Sequence, residues 1–161
     1  MKELKVDIDE LVDIMENNSA DYDHFHYLDQ ETGEILFVMA DVQNLVDENV
    51  QEGIDGLPEW QKDQVEDAKR ISSDEEGRYL HIPRIESHDA YRFMDDFAND
   101  VESDELREKL QIALDGQGAF RLFKNVLYEY PAEQAKWFRY HNERVKREVI
   151  DWLLSNSIKP K

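Results

Sequence analysis

Apolar residues recur along this chain at two different periods, and the change from one to the other divides it. Ile8, Leu11, Val12 and Met15 fall at helical spacing and predict a short amphipathic helix over 7–17, ended by Asn17-Asn18-Ser19, with acidic residues on its other faces. Residues 24–28 (His-Phe-His-Tyr-Leu) and 35–39 (Ile-Leu-Phe-Val-Met) are short, aromatic and β-branched, the signature of strands. They flank Asp29-Gln30-Glu31-Thr32-Gly33-Glu34, where Gly33 suits the left-handed position of a bulged turn, so a β-hairpin is expected. The second strand is apolar on both faces and is expected to be central and covered on each side, with His24 and His26 on its neighbour.

Residues 41–56 are acidic, with Val42, Leu45, Val46 and Val50 as anchors, and read as a loop or a frayed helix. Pro58 fits the first turn of a helix reaching about Ile71, whose buried stripe would be Trp60, Val65 and Ala68. Ser72 to Gly77 breaks that pattern, and residues 78–82 (Arg-Tyr-Leu-His-Ile) read as a third strand stopped by Pro83.

Everything after Pro83 reads as helix. Ser87 is placed as an N-cap before the stripe Ala90, Tyr91, Met94, Phe97 and Val101, and Ser103 caps a helix burying Leu106, Leu110, Ala113 and Leu114. Gly116 sits where a left-handed C-terminal cap is expected. A third helix from Ala119 carries Phe120, Phe123, Val126, Leu127 and Tyr130 until Pro131, and the last runs from about Ala132 to Ser155 with Phe138, Val145, Val149, Trp152 and Leu153 on one side. Trp137 and Tyr140 are read as lying off that stripe. The fold class is α+β: a small antiparallel sheet, the hairpin plus a third strand, with a helical C-terminal half of about four helices. No repeat or linker is visible, so 1–161 is read as one domain with an acidic α/β-hairpin part at 1–83, a helical part at 84–155 and a short tail at 156–161.

Composition narrows the class. The chain has no cysteine, which excludes a disulfide framework and a thiolate zinc site. It also lacks both the apolar core of a leader and any run near the roughly 20 residues that span a bilayer, which points to the cytoplasm. The net charge is −19, and it is uneven: residues 1–80 hold 23 acids and 6 bases, residues 81–161 hold 15 and 13. Such acidity disfavours nucleic acid as a partner. Residues 116–147 nevertheless hold seven bases against Glu129, Glu133 and Glu143. That basic window either pairs with the acidic half, of its own molecule or of a neighbouring copy, or binds an external anion.

The candidate chemistry lies in the same window. Gly116-Gln117-Gly118 precedes a helix whose first amides and positive dipole end suit an anion, with Arg121 and Lys124 on successive turns and Lys136 and Arg139 downstream. It is neither a dinucleotide fingerprint nor a Walker loop. The structural alternative has Gly116 end one helix while Gly118 lets two helices approach closely. Five histidines raise a metal-dependent hydrolase using His24, His26, His81 or His88 with Asp89, yet no zinc or calcium motif specifies the set, and Asp7-Ile8-Asp9-Glu10 and Asp21-Tyr22-Asp23 only superficially alternate acids. Asp95 and Asp96 point about 100° apart on a helix and make no facing acid–base pair. No metal site, cofactor or catalytic residue is assigned, and nothing demands an enzyme.

Taken together, the hairpin D-x-E-T-G-E-I, L-P-E-W, R-Y-L-H-I-P, A-Y-R-F-M-D-D-F, G-Q-G-A-F-R-L-F-K, W-F-R-Y and D-W-L resemble the bacterial uncharacterised protein family 0158 over nearly the whole length. The resemblance implies a single-domain bacterial cytoplasmic protein and supplies no catalytic residue. The expected function is a non-enzymatic binding or interaction module recognising an anionic ligand or partner through Gly116, Gly118, Arg121, Lys124, Lys136 and Arg139. The alternatives are an acidic nucleic-acid mimic that occupies a basic protein and the metal-dependent hydrolase.

Overall fold

The computed structural model describes residues 1–16 and 23–161 and divides the chain into two compact units, residues 1–84 with 150–161, and residues 85–149. The first contains β1 (Lys2–Leu4), α1 (Ile8–Glu16), β2 (His24–Asp29), β3 (Ile35–Met39), α2 (Ala40–Asp47), α3 (Gln51–Asp55), α4 (Glu59–Lys62), α5 (Val65–Ser72) and β4 (Tyr79–His81). The second contains α6 (Ser87–Asn99), α7 (Asp104–Leu114), α8 (Ala119–Tyr128) and α9 (Pro131–Ser155) up to Val149; residues 150–155 of α9 and β5 (Ile158–Pro160) fall in the first. The class is α+β, as the periodicity predicts. The expected Asn17-Asn18-Ser19 helix stop, and Asp21 with Tyr22, lie outside the described residues. Among the described residues no helix is long and apolar enough to cross a membrane.

In the first unit the hairpin forms at its expected place, with Gly33 left-handed at φ 81. A side chain there would strike the carbonyl oxygen of Lys5, so close approach as well as conformation requires glycine. The sheet order is β3-β2-β4, antiparallel throughout. The central strand is therefore the histidine-bearing β2; β3 is an edge, and Phe37 stays 41% exposed. A continuous apolar run does not distinguish a covered strand from an edge strand with one face on a core. That core is Val38, Val42, Ile54, Val65 and Ala68. It is built partly by 41–56, where the helical one of the two expected alternatives holds, as α2 and α3. The segment after Pro58 breaks into α4 and α5, and Trp60 is 61% exposed.

Glutamine amides stitch this core: Gln64 Oε1 accepts from the Met39 amide at 2.8 Å, and Gln43 Nε2 donates to the Ala68 carbonyl at 3.1 Å. The 156–161 segment is no loose tail, for β5 pairs in parallel with β1, with Ile158 fully buried.

Asp29, at the end of β2, is 3% exposed. Its two carboxylate oxygens accept from Arg78 Nε and from an Arg78 terminal nitrogen, each at 2.9 Å, and Oδ1 also accepts from the Glu31 amide. This paired geometry holds the Asp29 carboxyl down to about 2, chiefly through Arg78 and secondarily through the Glu31 amide and Thr32. One side chain so joins the hairpin turn to the entry of β4.

In the second unit Ser103 caps α7 as expected, its Oγ accepting from the Leu106 amide at 3.2 Å. Ser87 is no cap; Glu86 occupies that position, without a side-chain hydrogen bond. The main departure is on α9. Trp137 is 6% exposed and Phe138 60%, the reverse of the expected assignment. The buried positions recur every fourth residue through Trp137, Val145 and Val149, so the seam lies one residue before Phe138. Trp137 meets Phe123 at 4.9 Å and Phe97 at 5.3 Å, edge to face, with His141 at 5.2 Å.

Two measurements test this architecture. Trp137→Ala is expected to lower unfolding stability by ~3–5 kcal/mol and Phe138→Ala by no more than ~0.5 kcal/mol in urea titrations; equal costs would refute the seam. The folded pKa of Asp29 lies below its ordinary 3.8, so its contribution is complete above pH 3.8 and is lost as the pH falls towards about 2. Asp29→Asn should cost ~2 kcal/mol at neutral pH and flatten the stability curve over that acid window.

Candidate functional site

The basic window is set by how α7, α8 and α9 bury their apolar positions. α7 ends with Asp115 in right-handed geometry, and the left-handed residue is Gly118, at φ 71. The expected left-handed C-terminal cap at Gly116 is therefore not formed; Gly118 is the N-cap of α8. Among the described residues, nothing but chain neighbours lies within 4 Å of where a Gly116 or Gly118 side chain would begin except the Arg121 guanidinium, 3.7 Å from Gly118, so neither glycine serves a close helix approach. Phe123 and Leu127, one turn apart, face the core, which leaves Arg121 and Lys124 on the exposed side and Phe120 39% exposed.

On α9, Lys136 is tied to Glu133 of its own helix at 3.3 Å, while Arg139 is exposed. Arg144 leaves the basic surface altogether. It donates to Asp96 Oδ2 at 3.0 Å and lies 4.5 Å over the Phe93 ring, and although burial opposes its charge, the Asp96 hydrogen bond and Tyr140 raise its pKa.

Among the described residues Arg121, Lys124, Arg139, Lys146 and Arg147 form no ion pair. Helix α8 contains no acid at all, and its first turn is the exception: α1 to α7 and α9 each begin with one or more carboxylates. The structure brings Gly118 and Arg121 together; it pairs Lys136 locally, and it leaves Lys124 and Arg139 as separate exposed cations. The groups on offer are amides, a guanidinium and ammoniums, all donors suited to an anion.

The histidines fall into two sets. His24 and His26 stand on one face of β2 with ring centres 5.5 Å apart, each 5.3 Å from Phe37. His24 Nδ1 is 2.9 Å from Asp23, and its Nε2 is 3.3 Å from Arg84. His81 is on the opposite face beside Phe25 and Tyr27. Arg84, sixty residues from His24, had no sequence signal. Burial first, then the His24, Arg84 and His81 charges, lower the pKa of His26; burial and Arg84 lower that of His81, although its side chain reaches solvent. His88 stands apart, its two ring nitrogens each 3.2 Å from an acid, Glu86 and Asp89. These three form the one group among the described residues with metal-ligand spacing, and they are exposed or half-exposed. Of the residues named for a hydrolase, His88 and Asp89 meet in this group, while His24 and His26 share a face of β2.

The chain belongs to the uncharacterised protein family UPF0158, which it matches over residues 1–161. A family protein of Pseudomonas aeruginosa is 30% identical over 160 residues, 99% of this chain and 88% of the relative. One from Chlamydia pneumoniae is 27% identical over 143 residues, 86% of the chain, and one from Chlamydia trachomatis is 30% identical over 80 residues, 49% of it. The chain spans 38% and 24% of those two chlamydial proteins. No solved structure matches it.

Ring titrations by NMR check the electrostatics of the β2 cluster. His26 and His81 should each titrate below 6.5, and Arg84→Ala should raise both. Ordinary values in the unaltered protein would contradict the geometry described.

Proposed function

We propose that this member of the family is a non-enzymatic binding module that recognises an anionic ligand or partner through Arg121 and Lys124 of α8 with Lys136 and Arg139 of α9. One observation carries it: in a chain of net charge −19, the cations Arg121, Lys124 and Arg139 form no ion pair among the described residues. Stability gives no reason for that arrangement. A cation in the first turn opposes the helix dipole, and Arg121 with Lys124 is a like-charge pair at i,i+3. An anion docked there would relieve both costs.

A second reading draws on the other end of the charge distribution. Residues 6–61 hold no Lys or Arg, and Asp41, Asp47, Glu48, Glu52 and Asp55 on and between α2 and α3 are exposed. This surface suits a basic protein partner, in the manner of an acidic nucleic-acid mimic.

Titration of the protein at low salt with inorganic polyphosphate, a fluorescent single-stranded oligonucleotide and polylysine separates the two. The anion reading expects polyphosphate binding that weakens linearly on a log–log salt plot, and about tenfold weaker binding for Lys124→Ala/Arg139→Ala. Silence of both anions at low salt, or unchanged binding by the variant, would sink it. Binding of polylysine alone favours the acidic surface.

A further inference from the structure

The surface between α7 and α8 holds a groove of about 420 Å³ lined by Ile112 and Ala113 of α7 and Leu122, Asn125 and Val126 of α8, with Lys109 and Glu129 at its rim. Its apolar content is conspicuous for this chain. Ile112 is 67% exposed, Leu122 and Val126 are half-buried, and Tyr128, further around α8, is 77% exposed.

The polar residues along its α8 edge have an order. Arg121 and Asn125 of α8 and Glu129, the cap that follows its last residue, stand four apart, so they form one stripe, cationic at its start, neutral at its middle and anionic at its end. Neither Arg121 nor Glu129 forms an ion pair among the described residues. A stripe of that order is complementary to itself when a second copy lies antiparallel along it. With a two-fold axis at Asn125, Arg121 of each copy faces Glu129 of the other, the two Asn125 amides meet each other, and Leu122 lies against Tyr128 of the other copy. A two-fold contact of this kind has each residue i meeting j while j meets i, and a polar amide at such an axis fixes register.

We propose that the α7–α8 groove is a self-association face, on which two copies of this chain pair through antiparallel α8 helices, with Arg121–Glu129 ion pairs at either end. The proposal goes beyond the anion reading. It takes Arg121 from the anion-binding set and leaves Lys124, one turn further along the exposed side of α8, and Arg139 to an external anion. A seam of one helix from each copy buries little area, so the dimer exchanges with monomer and weakens with salt.

Analytical ultracentrifugation over a range of protein concentrations at low salt tests it, with polyphosphate titration run alongside. The unaltered chain should move from its monomer mass of 19.1 kDa towards twice that value as concentration rises. Arg121→Glu and Glu129→Arg should each lower the association constant about tenfold by placing like charges face to face, and the double reversal should restore it. Ile112→Glu should abolish pairing. Restoration by the double reversal distinguishes an ion pair across the axis from a general loss of structure. A chain that stays monomeric at all concentrations, or single reversals that associate like the unaltered protein, overturns the proposal. Monomers that still bind polyphosphate through Lys124 leave the anion reading standing without it; a dimer indifferent to polyphosphate does the opposite.

Discussion

The surplus of carboxylate is the constraint under which this chain folds: 38 acids share 19 Lys and Arg. Most of the paired cations answer an acid three or four residues away on their own helix, as Lys62 answers Glu59, Arg70 Asp67 and Lys109 Glu105. Exposed pairs of this kind contribute little to stability. Two cations are of another kind. Arg78 reaches Asp29 across 49 residues and Arg144 reaches Asp96 across 48. Each lies beside an aromatic ring, Arg78 at Tyr79 and Arg144 at Phe93. One works in each unit, and each joins elements far apart in sequence.

The Asp29 tie shows why the sheet needs such a contact. Three short strands with an exposed edge expose backbone and bury only one face well, so local forces alone hold the hairpin turn and β4 weakly. Asp29 accepts from the turn through Glu31 and from the β4 entry through Arg78, while Asp74 accepts the Arg78 and Tyr79 amides at 3.1 and 2.9 Å. Those bonds hold the Asp74 carboxyl below its ordinary range as well. Two carboxylates, held charged by donors that the fold supplies, thus position a strand of only three residues.

Where local chemistry decides, the sequence could be read. Gly33 in its turn, Ser103 at its cap and the stripe Leu106, Leu110, Ala113 and Leu114 stand as periodicity and capping predict. Misreadings came where a partner decides. Phe138 and Trp137 are both large and apolar, and only the rings of Phe97 and Phe123 select the second. β3 looks central by composition but is an edge because β4 pairs with β2. β1 and β5 are three residues each, too short to show a period, and each exists through the other from opposite ends of the chain. The site follows the same rule. The cationic window is plain in the sequence, whereas the withdrawal of Arg144 onto Asp96 and the meeting of Arg84 with His24 depend on contacts 48 and 60 residues apart.

That withdrawal makes the remaining cations informative. Arg144 shows what this chain does with a base that stability requires: it is sheltered by rings and given an acid. Acids are in surplus, so a base left without one is not a consequence of scarcity. Among the described residues, the bases of the second unit without an ion pair are Arg121, Lys124, Arg139, Lys146 and Arg147, all on α8 and α9, where like charges at i,i+3 repel and weaken the helices slightly. A small cost repeated on α8 and α9, in a protein with twice as many acids as bases, is what the anion binding we propose would offset, its carboxylate or phosphate coming from outside the chain.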